Sequence, residues 1–298
     1  MHVSPIAITS AWKSPFLLKI PYKYIILNPY KNFYLQCEKG KEWVITMEKK
    51  KKRSMLPILF ILPVLAVFIF SLVKIGGPLL EYRQGEKVYE SLEEYVSIGE
   101  DGSYREGEMP VDFEALRKVN PDIIGWIVIP GMEISYPIVQ GEDNDYYLKH
   151  TFDKAENASG CIFVEVENSP DFSDNNTFVY GHNMKNKSMF AKLNRYQEED
   201  TFRKNPEFVI YTPEGMLRYQ IYSCHVARLG TESFSYRIEG EEEFSKWLET
   251  VKSKSYYDTG VTPDISQKSV TLMTCTPAGH DYRCLVHAVL VEDSRKQP

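Results

Sequence analysis

The sequence predicts a mainly β protein in which eight short strands close into a barrel, preceded by one transmembrane helix. Eight segments between residues 124 and 291 are rich in Val, Ile, Phe and Tyr and are bounded by Gly, Pro, Asn or Asp, as short strands are. Two segments between them, 188–196 and 241–252, have the apolar spacing of helices. Many short strands with a few inserted helices are typical of a closed or nearly closed barrel. The predicted strands are Ile124–Ile129, Tyr136–Val139, Gly160–Val164, Thr177–Tyr180, Phe208–Tyr211, Leu217–Ser223, Val270–Thr274 and Arg283–Val291.

The transmembrane helix is predicted from the run Met55 to Val73, which is 19 residues long and contains no charged residue. A bilayer core requires about 20 apolar residues in a helix. The basic cluster KKKKR at 49–53 comes immediately before the run, and basic residues stay on the cytoplasmic side. A buried core helix would not explain that cluster, and SLVKIGG offers no cleavage site for a signal peptide. We therefore expect an uncleaved, single-pass signal-anchor in the cell membrane, with an extracellular body.

The position of this anchor divides the chain into four predicted parts. Residues 1–54 form a basic cytoplasmic segment, of which 1–46 is either a start-site artefact or a disordered tail, because Met47 opens the normal beginning MEKKKKR. The anchor itself is 55–73. Residues 74–110 combine an amphipathic helix, 79–96, with a polar linker. Residues 111–298 form the globular domain that carries the predicted strands, and it opens on a short helix with Asp112 as its N-cap.

The charge distribution and the cysteine pattern exclude several classes of function. The net charge of −6 combines a basic head, +9 over residues 1–76, with an acidic body, −15 over 77–298. An acidic body repels phosphate backbones, so nucleic acid is not expected as a partner. The five cysteines show no metal-ligand spacing and the acidic residues no calcium-loop spacing, so neither a metal nor another cofactor is expected. An odd number of cysteines leaves at least one thiol unpaired.

Three strand ends carry residues suited to acyl transfer. The strand TLMTC ends in Cys275, the strand of VYGHNM is followed by a turn with His182, and Arg283 opens the strand after the Cys275 loop. A thiol attacks as thiolate and needs a nearby proton acceptor or cation. A histidine serves as that acceptor and later protonates a leaving amine, and an arginine stabilises an oxyanion. Together they predict a catalytic set of Cys275, His182 and Arg283.

Another cysteine competes for the catalytic assignment. Cys224 stands next to His225, and a Cys-His pair can resemble a catalytic dyad. Adjacent residues on a strand point to opposite faces, so these two side chains are expected to diverge. Cys161 and Cys284 lie within strand patterns and are interpreted as packing residues.

These motifs resemble the sortase family, and its class B in particular. The family's TLxTC motif is matched by Thr271–Cys275, the class B sequence YGHNM by Tyr180–Met184, and the arginine after the cysteine loop by Arg283. The resemblance extends from about Phe113 to Glu292. It includes the surrounding segments Asn120–Gly131, Tyr136–Leu148 and Met189–Tyr196.

The resemblance implies a sortase-type eight-stranded β-barrel and a cysteine transpeptidase without a cofactor. Its substrates would be secreted proteins with a C-terminal sorting motif of an NPxTN-like or related type. Cys275 would form a thioacyl intermediate with the motif's threonine, and an amine of a peptidoglycan precursor would resolve it, which attaches the protein to the cell wall. By the same resemblance, Asn144, Leu148 and Thr274 would line the motif groove. Met273 stands where class B often has a small hydroxyl residue, which leaves the motif preference open.

Alternative functions remain at this point. A cell-wall transpeptidase of the L,D type places its histidine and cysteine in one short motif, whereas His182 and Cys275 are 93 positions apart. A membrane-anchored extracellular cysteine hydrolase would differ only in using water to resolve the thioester. A non-enzymatic extracellular β-domain that binds peptides would not need the three residues together.

Overall fold

A computed structural model describes residues 33–36, 44–47, 56–97 and 110–296, with side chains for 61–97 and 110–296. The chain divides into two units, 1–69 and 70–298. In the first unit, strand β1 (Phe33–Gln36) pairs antiparallel with β2 (Val44–Met47). The rest of residues 1–54 lies outside the described residues, so their interpretation as a start-site artefact or cytoplasmic tail stays a prediction.

Helix α1 runs without interruption from Leu56 to Leu92. One helix thus runs through most of both segments, 55–73 and 79–96, for which the sequence predicts separate helices, and a 3₁₀ turn, Glu93–Tyr95, follows it. The helical stretch Ile61–Tyr95 has a mean hydropathy of 2.0 in its most apolar window, and that window is not buried by protein. By length and composition, this helix can cross a membrane.

Eight strands form a closed barrel, in the order β10-β8-β7-β3-β4-β5-β6-β9. Neighbouring strands are antiparallel except β4–β5 and β6–β9, which are parallel. A closed barrel leaves no strand edge unpaired. All eight predicted strands are confirmed, with ends that differ by a few residues. Their bounds are β3 Ile123–Ile129, β4 Ile134–Val139, β5 Ile162–Val164, β6 Asn176–Tyr180, β7 Glu207–Thr212, β8 Gly215–Arg228, β9 Ser269–Cys275 and β10 Tyr282–Asp293.

Short helices lie in the connections before and between the strands of the barrel. Helix α2 (Phe113–Val119) begins after Asp112, whose carboxylate accepts a hydrogen bond from the Ala115 amide at 2.9 Å, as expected of an N-cap. A 3₁₀ helix, Phe190–Gln197, replaces the α-helix predicted over 188–196. Helix α3 (Glu199–Lys204) was not predicted, because six residues are too few to show a helical period. Helix α4 spans Glu241–Ser253, close to its prediction.

Alternation along each strand divides the apolar side chains between two cores. On β3, Ile127 and Ile129 face the barrel interior and belong to the main cluster of buried residues. Their neighbours Trp126 and Val128 face outward and pack in a second cluster that includes Phe113 of α2. The pleat places successive side chains on opposite faces, so both faces of β3 are buried.

A polar cluster is buried on the outside of the barrel, beneath α4. The rings of His225 on β8 and His287 on β10 stack with their centroids 5.2 Å apart, and Trp247 of α4 packs edge-on against His287. The Nε2 atom of His225 lies 3.0 Å from Oγ of Ser233, and Nδ1 of His287 lies 2.9 Å from Oγ1 of Thr271. These contacts anchor the segment before α4 to the barrel wall.

Burial keeps both rings of this cluster neutral. Loss of hydration, together with the nearby Lys254 ammonium, lowers the pKa of His225 to about 4. Burial likewise lowers the pKa of His287. The Lys254 ammonium is itself paired with Glu232, 2.6 Å away. A charged imidazole here would lie in an apolar surrounding beside an existing cation, so the folded protein disfavours protonation of either ring.

Because these buried histidines are neutral, we expect the folded protein to lose stability in mild acid. In the unfolded chain the pKa of histidine is about 6.5, whereas burial lowers the pKa of His225 in the folded chain to about 4. Between these values the unfolded state binds protons that the folded state does not, so the free energy of unfolding falls as the pH falls. When the pH falls from 7.5 to 4.5, the free energy of unfolding should decrease in both proteins. The decrease should be smaller in His225→Gln than in the wild type, by on the order of 2 kcal/mol.

Urea unfolding of the full chain in detergent at the two pH values measures this difference. His150→Gln is the matched control, because His150 is half-exposed and outside the cluster; it should show the wild-type pH dependence. Equal pH dependence of wild type and His225→Gln would contradict neutral burial of the cluster.

Candidate active site

Cys275 and Arg283 face each other across a pair of antiparallel strands. Cys275 is the last residue of β9, Arg283 is the second residue of β10, and the two are direct partners in the ladder. Directly opposed residues carry their side chains on the same face, with Cβ atoms about 4.5–5.5 Å apart. The proximity expected from the sequence is therefore a consequence of the strand register.

His182 reaches the same edge of the barrel through the neighbouring strand. Strand β6 runs parallel to β9, with Tyr180 opposite Met273, and the Gly181 amide donates to the Met273 carbonyl at 3.1 Å. His182 and Cys275 each lie two residues beyond this pair. Because parallel strands end at one edge, the imidazole and the thiol emerge side by side from strands that are far apart in sequence.

A backbone carbonyl orients the imidazole. The Nε2 atom of His182 lies 2.8 Å from the carbonyl oxygen of Leu148. A carbonyl only accepts, so Nε2 carries the hydrogen, and Nδ1 of the neutral ring is the nitrogen that can take a proton. Leu148 thus contributes to the site through its backbone, a role that no side-chain motif indicates.

Two asparagines hold the backbone of the cysteine. The side-chain amides of Asn183 and Asn194 donate to the carbonyl oxygen of Cys275 at 2.9 and 3.1 Å. Asn183 follows His182, and Asn194 lies in the 3₁₀ helix Phe190–Gln197. Sequence reasoning missed both. The available signal was their position in the segments YGHNM and MFAKLNRY that carry the family resemblance.

All six residues singled out from the sequence line one open cleft of about 290 Å³. Cys275 is exposed, and His182 and Arg283 are half-buried. The Arg283 guanidinium donates through Nη1 to the carbonyl oxygens of His280 and Tyr282, at 2.6 and 2.9 Å. The lining of the cleft comprises Asn144, Asp145, Leu148, Phe163, Glu165, Tyr180, Gly181, His182, Met273, Thr274, Cys275 and Arg283.

A buried carboxylate organises one wall of the cleft. Glu165 is 5% exposed and accepts hydrogen bonds from the Asn144 amide and the Tyr180 hydroxyl. The other side-chain atom of Asn144, Oδ1, accepts from the Val166 amide at 2.9 Å. Burial raises the pKa of Tyr180, and the adjacent Glu165 carboxylate raises it further, so this hydroxyl remains a donor. Asn144 is therefore fixed in orientation before any ligand binds.

The two other groove residues differ in accessibility. Leu148 is 37% exposed and presents an apolar side chain to the cleft. Thr274 is 1% exposed, and its Oγ1 has no hydrogen-bond partner within the described part of the chain.

The remaining described cysteines are buried. Cys224 lies in the barrel interior, whereas His225 lies in the outer cluster beneath α4, so the two side chains diverge as the strand pleat requires. Cys284 is in the interior as well. Burial raises the pKa of the Cys161 thiol to about 12. Cys37 lies outside the described residues. Among the four cysteines that the structure describes, only Cys275 is exposed.

The arrangement has the parts that acyl transfer requires. A thiol lies at the mouth of an open cleft, beside an imidazole with an oriented ring and a guanidinium on the facing strand. Thiolate attack on a carbonyl requires a proton acceptor, and the resulting oxyanion requires a fixed positive charge. Within 61–97 and 110–296, no group of three His, Cys, Asp or Glu side chains is placed to hold a metal ion.

Known proteins are similar to this chain in both sequence and fold. The model of the sortase domain family matches residues 127–291. A sortase B of Listeria monocytogenes is 34% identical over 227 residues, which cover 76% of this chain and 92% of the relative. A sortase B structure from Clostridium perfringens matches with a TM-score of 0.58 and 32% identity over 61% of this chain and all of that one.

A Staphylococcus aureus sortase B in complex with substrate matches at a TM-score of 0.63 and 25% identity, over 72% of this chain and 99% of that chain. The family model covers more than half of the chain, and the Listeria relative is matched over most of its length. The chain therefore belongs to the sortase family of cysteine transpeptidases, in class B.

Proposed function

We propose that this sortase cleaves a C-terminal sorting motif of secreted proteins, NPxTN-like or related, and joins them to an amine of a peptidoglycan precursor. The observation that carries the proposal is the meeting of Cys275, His182 and Arg283 at one cleft. The Cys275–Arg283 register pair supports it, because one residue of slip would put the two side chains on opposite faces.

In the first half-reaction, Sγ of Cys275 attacks the carbonyl carbon of the motif's threonine after giving its proton to His182. The guanidinium of Arg283 stabilises the oxyanion of the tetrahedral intermediate. The peptide C–N bond breaks, the leaving amine takes the proton from the imidazolium, and a thioester remains. The orientation of the ring by the Leu148 carbonyl supports Nδ1 as the atom that carries this proton.

In the second half-reaction, an amine attacks the thioester, its proton passes to His182, and Cys275 leaves as thiolate. The exposure of Cys275 supports this step, because the incoming amine needs access to the thioester. The hydrolase alternative uses water in place of the amine, and comparing products with and without an added amine distinguishes the two.

Substrate binding is assigned to the walls of the cleft. The exposed apolar side chain of Leu148 contacts apolar parts of the motif, and the fixed amide of Asn144 donates to its backbone. Thr274, which is almost fully buried, shapes the wall next to the nucleophile. The apolar helix supports a membrane anchor, and the basic cluster at 49–53 supports an extracellular orientation of the body.

Catalytic variants should separate the three roles. With fluorogenic NPxTN-, SPxTG- and LPxTG-like peptides and the full chain in detergent, Cys275→Ala should abolish cleavage, because no thioester can form. His182→Ala should lower kcat by about 10²–10⁴, the usual contribution of a general acid–base. Arg283→Lys should lower it by about 10²–10³, because an ammonium does not reproduce the guanidinium geometry.

The controls are His150→Ala, at a half-exposed residue, and Arg237→Lys, at an exposed one; both lie outside the cleft and should leave kcat unchanged. Cleavage that survives Cys275→Ala, or failure of the wild type to cleave any of the three motifs, would refute the proposed function and favour a peptide-binding domain.

A binding variant tests the groove. Leu148→Ala should raise KM for the preferred peptide about tenfold with little change in kcat, because removing an apolar contact of this size costs about 1–3 kcal/mol of binding. Val119→Ala is the matched control, since Val119 is 40% exposed and lies outside the cleft. Steady-state kinetics measure both variants. A fall in kcat at constant KM would assign Leu148 to catalysis instead.

Labelling of intact cells tests the orientation. A membrane-impermeant maleimide should label Cys275 in intact cells, and Cys275→Ala should remove that label, because the other described cysteines are buried. Labelling of Cys275 only after lysis would mean that the catalytic domain faces the cytoplasm.

A further inference from the structure

The C-terminal part of α1 packs against the two loops that flank His182. The carbonyl of Glu81 accepts a hydrogen bond from the Asn157 side chain at 2.9 Å, and its carboxylate accepts one from the Ala158 amide at 2.7 Å. The Glu86 carboxylate accepts from the Asn186 side chain at 2.8 Å. The first two contacts hold the loop before β5, and the third holds the loop that follows His182.

Tyr89 connects these two loops. Its hydroxyl donates to the carbonyl of Gly160, in the loop before β5. Its ring meets the ring of Tyr136 edge-on, with centroids 5.3 Å apart. The Tyr136 hydroxyl in turn accepts the Met189 amide at 3.1 Å, in the loop after His182. One side chain on α1 thus contacts the first loop directly and the second loop through Tyr136.

Gly160 lies directly against the catalytic imidazole. Its φ of +56° is in the left-handed region that favours glycine. A methyl group at this position would lie 3.0 Å from Cδ2 of His182 and 2.5 Å from the carbonyl oxygen of Tyr147. The His182 ring therefore occupies the space on the side of Gly160 where a Cβ would stand, so this glycine borders the ring.

The second loop fixes the backbone of the histidine. The Phe190 amide donates to the carbonyl of His182 at 3.0 Å, and Asn183 forms an antiparallel bridge with Met189. Together with the Nε2 contact to Leu148, these bonds leave the imidazole little freedom to rotate. Tyr89 acts on both supports, on the ring through Gly160 and on the backbone through Tyr136.

We propose that Tyr89 is a positioning residue that sets the orientation of the His182 imidazole through the Gly160 carbonyl, so that α1 is part of the catalytic apparatus. The proposal rests on the proposed function for its kinetic consequence. Its geometric content, the placement of an imidazole beside the Cys275 thiol, is independent of the substrate.

A purely structural role of Tyr89 would have different consequences for the kinetics. If Tyr89 only packed α1 onto the barrel, its hydroxyl would affect stability and the fraction of folded enzyme but not the turnover of each folded molecule. A positioning role changes the turnover itself, because a displacement of about 1 Å can cost about 10²-fold in rate. It also changes the reactivity of the Cys275 thiol toward an alkylating reagent, which depends on the neighbouring imidazole.

The test uses Tyr89→Phe, with Tyr82→Phe as the matched control. Tyr82 lies on the same helix and packs its ring against the main core, but no hydrogen bond links it to a loop beside His182 in the described part of the chain. Tyr89→Phe in the full chain in detergent should lower kcat per titrated active site about tenfold, with KM within about twofold, by loss of near-attack geometry. Tyr82→Phe should retain the wild-type kcat.

A second readout needs no substrate. The rate at which iodoacetamide alkylates Cys275, followed by the mass of its peptide between pH 5 and 9, should show a shifted pH profile in Tyr89→Phe and a wild-type profile in Tyr82→Phe. Gly160→Ala, which presses directly on the ring, should change the profile in the same manner and reduce kcat further.

A wild-type alkylation profile and wild-type kcat in Tyr89→Phe would overturn the proposal. An equal loss of kcat in Tyr82→Phe, with an equal fall in melting temperature, would also overturn it. If the wild type cleaves no sorting motif, the proposed function fails. The alkylation profiles of the two tyrosine variants still decide whether Tyr89 positions His182.

Discussion

The site depends on the pairing of β9 with a parallel neighbour on one side and an antiparallel neighbour on the other. The antiparallel ladder with β10 puts Arg283 opposite Cys275. The parallel ladder with β6, with Tyr180 opposite Met273, brings His182 to the same edge. A slip of one residue in either ladder would turn the side chains of one strand to the other face. In a closed barrel every strand has two neighbours, so such a slip would disrupt the pairing around the whole ring.

The strands bring the reactive groups to one edge, and hydrogen bonds from the loops fix their orientation. The carbonyl of Cys275 is held by Asn183 and Asn194, and the His182 ring by the carbonyl of Leu148. Catalytic groups must be held within a fraction of an ångström of the productive geometry, which loops achieve only with such support. The open cleft therefore combines an accessible thiol with backbone and ring groups that hydrogen bonds hold in place.

Environment separates residues of the same type into different roles. His182 lies half-exposed at the cleft, whereas His225 and His287 are buried beneath α4 and stay neutral because of that burial. Cys275 is exposed, whereas the Cys161 thiol has a raised pKa in an apolar surrounding. Reactivity thus follows solvent access and neighbouring charge, which differ between positions that look alike in the sequence.

The sequence by itself determined the eight strands, the apolar helix and the family, and it singled out Cys275, His182 and Arg283 as the trio proposed to react. Alternating apolar residues and turn residues mark the strands, and hydrophobic length marks the helix. The motifs around Cys275, His182 and Arg283 mark the family. These signals are local, since each depends on a few neighbouring residues. Short elements were predicted less well, because they contain too few turns to show a period. The 3₁₀ helix Phe190–Gln197 was expected to be an α-helix, and α3 was not predicted.

Only the tertiary structure decided which backbone groups serve the site and what surrounds it. The roles of the Leu148 and Gly160 carbonyls, and the contact of Tyr89 with Gly160, join positions that are far apart along the chain. A carbonyl is present at every residue, so no side-chain pattern distinguishes those that orient the histidine. Such contacts arise from how the barrel closes and how α1 packs, and these are properties of the folded chain as a whole.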